Sequence, residues 1–494
     1  MARPLLAIDQ GTTGSTALVF DVDGRTLGRA TVEFAQHFPK PGWVEHDAEE
    51  IWRSVERSVN DALEAAKIRP SDIAGIGITN QRETTLVWDK KTFAPIHRAI
   101  VWQCRRTADV CDELKRQGHA ERIRETTGLV IDAYFSATKI AWILDHVEGA
   151  RARAEKGELS FGTIDSFVVH RLTGGTVHVT DVTNASRTLL FGLRSLAWDD
   201  ELCALFRVPP AVLPRVVSSA EVVGETRGLS FLPDGIPIAG IAGDQQAALF
   251  GQACFARGDA KCTYGTGAFA LTNVGHEPIL SKHGLVTTVA WRIGKDTTYA
   301  LEGSSFIAGA AVQWLRDGLG LVKSAAEIEA LARRVPSSDG VVFVPALAGL
   351  GAPYWDQAAR GSITGITRGT TSAHLARATL EGIALSVQDL LAAMAEDSGA
   401  SLSRLRVDGG ASRNDLLMQF QADMTGCSVE RPFDVESTGR GAAMLAGVGL
   451  GAMKPEDAAK MVRIERTFTP KMEKEARSSH LAGWKRAIAG AQLR

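Results

Sequence analysis

The chain lacks the marks of several function classes. Its six cysteines (Cys104, Cys111, Cys203, Cys254, Cys262, Cys427) include no C-x-x-C pair, which argues against a disulfide frame or a zinc site and for reduced thiols in a cytoplasmic protein. The formal net charge is only −2, and no polybasic tail or basic stripe appears, so no nucleic-acid partner is expected. No uninterrupted apolar stretch approaches membrane-spanning length, and only "LLAI" precedes Asp9, so neither a span nor a signal peptide is expected. No low-complexity linker divides the chain. No lysine follows a G-x-x-x-x-G run, which excludes a Walker loop.

What is present is the composition of a globular protein, 45% hydrophobic and 23% charged over 494 residues, too long for one ordinary core. Apolar β-branched runs alternate with helix-period segments, an α/β pattern. "LLAIDQGTTGSTALVFDVDGRTLGRATVEF" predicts two or three antiparallel strands with "DVDGR" as a turn. "DAEEIWRSVERSVNDALEAAKI" predicts a helix capped by Asp47. "IAGIGITN" and "IPIAGIAG" read as buried strands, the second running into a helix at "DQQAALFGQA". After Gly251 the opening pattern returns in "AKCTYGTGAFALTNVG". The repeat predicts two domains of related fold, 1–252 and 253–494, each offering one Gly/Thr hairpin.

The turns carry the first chemical signal. Gly11, Thr12, Thr13, Gly14, Ser15 and Thr16 expose backbone N–H groups and hydroxyls, a cradle for an anion. Asp9 just before them cannot bind phosphate but can hold Mg²⁺, which sits on phosphates. "YGTG" (Tyr264–Gly267) is a second cradle. In "RVDGGASRND" the glycines admit a flat ring to the backbone, and Asn414, on the first helical turn, can bond a purine edge. Asp244 in "AGDQQAA" follows a buried strand, where a carboxylate serves as a helix cap, as a general base, or as both. In "TNQRETT" the donor Arg82 and the acceptor Glu83 together suit vicinal hydroxyls of a polyol; the plainer alternative is a surface ion pair. Trp102 and Phe269 are core aromatics or apolar walls for a carbon chain.

Taken together, "DQGTTGS", "PGWVEHD", "GITNQRETT", "IVWQCRRT", "TGLVIDAYFSATK", "VHVTDVTNASRT", "GIAGDQQAALFGQ", "YGTG", "GLGAPYWD" and "RVDGG" resemble the FGGY carbohydrate kinases, most closely their glycerol-phosphorylating branch. The resemblance implies two α/β domains of actin-like (ribonuclease H-like) ATPase fold with an interdomain cleft. It implies ATP-dependent, Mg²⁺-assisted phosphorylation of glycerol to sn-glycerol 3-phosphate by a cytoplasmic homo-oligomer, dimer or tetramer. Arg82, Glu83, Tyr134, Asp244 and Gln245 would bind glycerol, with Trp102 and Phe269 enclosing it and Asp244 as base. Thr12, Thr13, Gly14, Thr16, Thr266, Gly309, Gln313, Gly410 and Asn414 would line the ATP site, and Asp9 would stand by the metal. Thr16 departs from the arginine of many relatives, Ala268 from a frequent cysteine, and Gly439-Arg440 from an Ala-Leu pair. Some relatives bind fructose bisphosphate through a glycine-rich loop. The segment here, Gly224–Gly235, turns apolar at Leu229, Phe231 and Leu232, so it is expected to dock on the domain instead.

Overall fold

In the computed structural model, which describes residues 3–492, the opening segment forms three strands, Leu5–Gln10, Gly14–Phe20 and Thr26–Glu33, paired antiparallel in sequence. The carboxylate of Asp21 accepts from the backbone of Asp23 and Arg25 and folds the "DVDGR" turn. Gly75–Asn80 lies parallel beside the first strand and is buried along its whole length, which is why it reads as a continuous apolar run. Pro237–Gly243 continues the sheet in parallel, and Ala220–Glu225 closes the edge. The helix Ala48–Ala66 packs on this sheet, started by Asp47, whose side chain accepts from the N–H groups of Glu49 and Glu50.

A second sheet repeats the plan. Asp259–Tyr264 pairs antiparallel with Ala268–Gly275 and parallel with Arg404–Asp408. Asp296–Ser305 takes the place of Thr26–Glu33, Ser428–Pro432 that of Pro237–Gly243, and Ile464–Phe468 that of the closing edge, while Val286–Ile293 is an addition. The internal repeat predicted from two short hairpins thus extends over six strands.

The helix Ser437–Gly449, from the second half, lies against the first sheet and the helix Asp244–Gly251. Small residues permit this: a methyl group added at Gly77 or Gly441 would overlap the backbone of Ala442 or Ala247. Arg440, one of the departures noted above, is buried here and donates to the carbonyls of Gly251 and Asp434, both at 2.9 Å. Leu5, Leu18 and Phe20 share a core with Leu271, Ala300, Met444 and Leu445, so the two sheets are joined by packing as well as by the chain. The stretch between Leu86 and Pro214 builds a lobe with its own core, including Val87, Ile100, Phe135, Phe161 and Leu190.

Two sequence expectations meet the structure here. One helix among the described residues, Ser372–Ser398, is long and apolar enough to cross a membrane by length and composition, but polar residues interrupt its apolar run and 83% of its most apolar window is buried in the protein. It is a core helix of the second half. In the segment Gly224–Gly235, Phe231 and Leu232 are buried, Phe231 meets Trp52 edge-on at 5.8 Å between ring centroids, and the Gly228 N–H is taken by Asp234. The segment docks on the domain, as its apolar residues predict.

Candidate active site

Two parallel strands of the first sheet lead into charged residues. Gly75–Asn80 runs into Arg82 and Glu83, and Pro237–Gly243 runs into Asp244. Arg82 and Glu83 are 3% and 1% exposed, so the surface ion pair considered from the sequence is excluded. Nor do they mainly pair with each other, their closest charged atoms being 4.0 Å apart. Arg82 grips Glu302 with two bonds, Nη1 to Oε2 at 2.5 Å and Nη2 to Oε1 at 2.9 Å. It also donates to Gln246 Oε1 at 3.2 Å and holds Nε 3.1 Å from Asp244 Oδ1. Glu83 instead accepts from Arg187 Nε at 2.6 Å, and Arg187 reaches Glu302 at 3.1 Å. Burial alone would raise the Glu302 carboxyl, but Arg187 and Arg82 overcome it and hold the group down to about 2. Glu83 moves upward, burial outweighing the arginines.

Glu83 adopts φ 61°, a left-handed conformation costly for a side chain with a Cβ, and such strain concentrates at functional sites. Three bonds already occupy the terminal nitrogens of Arg82, so one Nη2–H remains for a substrate. Asp244 opens its helix and accepts from the Gln245 N–H at 2.7 Å. Its side chain stays 31% exposed, and Oδ2 makes no hydrogen bond among the described residues. The base candidate is therefore oriented by an arginine and a backbone amide and free on one oxygen.

The lobe supplies the walls. Lys139 is buried and donates to the carbonyls of Ala133, Tyr134 and Phe135, fixing the loop that carries Tyr134. Trp102 meets Tyr134 edge-on at 5.6 Å, and Arg187 lies over the Tyr134 ring. Trp102 Nε1 donates to the Thr12 hydroxyl at 3.0 Å, which links the residues expected to bind a polyol to the first hairpin. Trp102 and Phe269 are half-buried, so neither is a plain core aromatic.

The residues expected from the sequence to bind ATP meet around the second hairpin. Thr266, Gly309, Gln313, Gly410 and Asn414 line one cavity of about 450 Å³ with Tyr264, Arg316, Ile328 and Leu417. The hairpin tip accepts from the first amides of the helix Gly309–Asp317, Ala308 and Ala310 to Thr266 O and Gly309 to Gly265 O. Asn414 is the N-cap of the helix Asp415–Thr425, one residue before the first turn assigned from the sequence. Its Oδ1 takes the Leu417 N–H, which leaves Nδ2 for a base edge.

On the first hairpin, Thr12 lies by Trp102, the Thr13 carbonyl accepts from Phe34, and Gly14 packs on Val32 of the next strand. Thr16 bonds Thr31 across that strand at 2.9 Å. None of the four lines the 450 Å³ cavity. Asp9 is pushed up to about 8, by burial and then by the charges of Asp244 and Glu436. Among the described residues no set of three His, Cys, Asp or Glu could hold a metal ion. Arg29 pairs with Glu436 at 3.2 Å and Arg82 with Asp244 at 3.1 Å, yet Asp9 stays raised; one such carboxylate still fits Mg²⁺, which keeps several waters and takes one or two carboxylates.

Sequence reasoning missed Glu302, Arg187, Gln246 and Lys139. An acid inside the apolar strand "TYALEGSS" was the available signal for Glu302, since a buried carboxylate needs a partner.

Comparisons with known proteins place the chain in a family. The model of the FGGY family of carbohydrate kinases, N-terminal domain, matches residues 5–251, and that of its C-terminal domain matches residues 260–450. A glycerol kinase of Myxococcus xanthus is 59% identical over 490 residues, and one of Bacillus cereus 55% identical over 489, each match covering 99% of both chains. A crystal structure of Plasmodium falciparum glycerol kinase with ADP superposes with a TM-score of 0.93 at 35% identity, over 99% of this chain and 98% of that one. The motif resemblance is borne out, and the chain belongs to the FGGY family of carbohydrate kinases.

Proposed function

We propose that this kinase transfers the γ-phosphoryl group of ATP to a terminal hydroxyl of glycerol, giving sn-glycerol 3-phosphate. The carrying observation is the constellation of buried Arg82 and Glu83 with the part-exposed Asp244, fixed by Glu302 and Arg187 beside the Trp102–Tyr134 wall. A small neutral polyol offers only hydroxyls, so a site for it needs donors and acceptors that cannot reorient. Its relatives of 55–59% identity that carry the name glycerol kinase support the same substrate.

In the mechanism proposed, Arg82, Glu83, Tyr134 and Gln245 orient glycerol, and Trp102 and Phe269 exclude water from its carbons. Asp244 accepts the proton of the attacking hydroxyl through its free oxygen. The transition state is loose, so the backbone amides of residues 11–16 and 265–267 act by position and charge. ATP lies between the halves 1–252 and 253–494, with its base in the Asn414 cavity and its phosphates toward both hairpins. Asp9 would hold Mg²⁺, which when bound neutralises phosphate charge. The enzyme acts in the cytoplasm, without nucleic acid or membrane.

ADP release measured across glycerol, xylulose, other polyols and no acceptor tests the reading. Release should require glycerol and be strongest with it. Equal release without any acceptor would make the protein an ATPase module instead.

A further inference from the structure

Lys261 has no part in the mechanism above, yet it is fully buried on the strand Asp259–Tyr264. Its ammonium donates to Gln245 Oε1 and, at 2.9 Å, to the Thr263 hydroxyl. The carboxylates of Asp408, Asp244 and Glu302 supply the compensating charge around it. The fold does not demand a lysine here. In the matching hairpin Asp9 pairs with Thr16 where Thr263 pairs with Phe269, so the counterpart of Lys261 is Ala7, an ordinary buried apolar residue. Burying an ammonium is costly, and what this one does is hold an amide.

An ammonium only donates, so whatever it touches on Gln245 must be the carbonyl oxygen. That contact removes the ambiguity between the two ends of the amide. Gln245 Nε2 makes no hydrogen bond among the described residues and is not sealed from solvent. It stands in sequence and on the helix next to Asp244. An acceptor on one residue and a donor on the next together match a hydroxyl, which gives one hydrogen bond and takes another. With the amide reversed, two acceptors would confront a hydroxyl that has one proton.

We propose that Lys261 is a positioning residue of the acceptor subsite: it pins the Gln245 carbonyl so that the amide N–H₂ faces the substrate hydroxyl beside Asp244. This rests on the reading of that subsite as a polyol site.

The test is a double-mutant cycle on the full-length enzyme, with steady-state kinetics in both substrates for Lys261→Met, Gln245→Ala and the double variant. Lys261→Met should raise the glycerol KM about tenfold and leave the ATP KM within about twofold, the scale of one misdirected polar contact. The double variant should be no worse than Gln245→Ala, because Lys261 acts through that amide. Lys261→Arg, which keeps a donor, should recover most of the loss, and it carries the test if Lys261→Met does not fold. Multiplying effects in the double variant, a parallel rise in the ATP KM, or no recovery with arginine would overturn the proposal; the second of these would put the ammonium on phosphates. Wild-type enzyme that released no ADP in response to glycerol would instead overturn the polyol reading itself.

Discussion

At the tip of Leu5–Gln10 the chain sets Asp9 opposite Thr16; at the matching tip of Asp259–Tyr264 it sets Thr263 opposite Phe269. The parallel strand beside the first hairpin leads into Arg82 and Glu83, and its counterpart beside the second leads into Gly409, Gly410 and the Asn414 cap. The bracing differs too. Side-chain amides hold the first turn, Gln36 donating to Thr12 O and Gln81 and Gln10 donating to Gly11 O. Backbone amides of a helix start hold the second. On the proposed function, one scaffold, used twice, carries two chemistries. A small neutral acceptor needs charged groups locked by one another, whereas a flat base and an anionic tail need backbone and space. The first kind of site breaks through single side chains and the second through single methyl groups.

The largest effect is expected at Asp244. Asp244→Asn keeps the shape but removes the proposed base, so kcat should fall by about two to four decades. Both KM values should stay within about tenfold, because the contacts with Arg82 and the helix N–H survive in kind. Stopped-flow and steady-state ADP release read this. A variant with near-native turnover would leave Asp244 as a helix cap.

Glu302 comes next, because it ties the acceptor machinery of the first half to the second sheet. Glu302→Ala strands two buried arginines, and losing one partner of a buried pair typically costs about 3–5 kcal/mol. Urea unfolding should show a loss on that scale. Turnover at saturating ATP should need much more glycerol, since Arg82 would swing toward Asp244. A stability loss below 1 kcal/mol, by the same scale, would mean that Arg187 and Glu83 hold the cluster without it.

What could be read from the sequence was local. Strands, the Asp47 cap, both Gly/Thr hairpins and the Arg82–Glu83 pair are written in neighbouring residues. Glu302 was not legible because its partners Arg82 and Arg187 lie 220 and 115 residues away, and no local pattern reports that closure. Arg187 sat inside a recognised motif, "VTNASRT", with no role attached, since only the fold shows it against Glu83 and the Tyr134 ring. Asn414 was identified but placed one residue too far into its helix, because a cap and a first turn differ by backbone angle and not by residue type. The cavity walls Arg316 and Ile328 come from helices whose packing the sequence does not reveal.

The amide bracing of the first hairpin makes it the acid-sensitive one. His46 Nε2 donates to Gln36 Oε1 at 2.7 Å, and Nδ1 faces the Gln81 amide nitrogen at 3.4 Å. Burial, with His37 nearby, lowers His46 from 6.5 to about 3. The unfolded chain therefore takes a proton that the folded chain refuses between these values. Stability from this group is whole above about pH 6.5 and is lost as pH falls toward 3, at up to about 1.4 kcal/mol per pH unit. In urea titrations against pH, His46→Gln should flatten the acid limb by that slope. An unchanged limb would mean that His46 is charged in the folded protein.

The smallest effect separates space from backbone in the second site. Gly409 has φ 81°, and a methyl there would sit 2.5 Å from the Tyr264 carbonyl oxygen, whereas a methyl at Gly410 meets nothing within 4 Å. Gly410 lines the 450 Å³ cavity proposed for the base, so a Cβ there would narrow that space. Gly410→Ala should leave unfolding free energy within about 0.5 kcal/mol, the range of a substitution that strains nothing. It should raise the ATP KM by a few fold and leave the glycerol KM alone. Gly409→Ala should instead lose stability, because alanine resists positive φ and the contact is with backbone. Calorimetry on both variants with KM values for both substrates distinguishes them. If Gly410→Ala moved the glycerol KM as much as the ATP KM, the two chemistries would not be divided between the two hairpins as argued here.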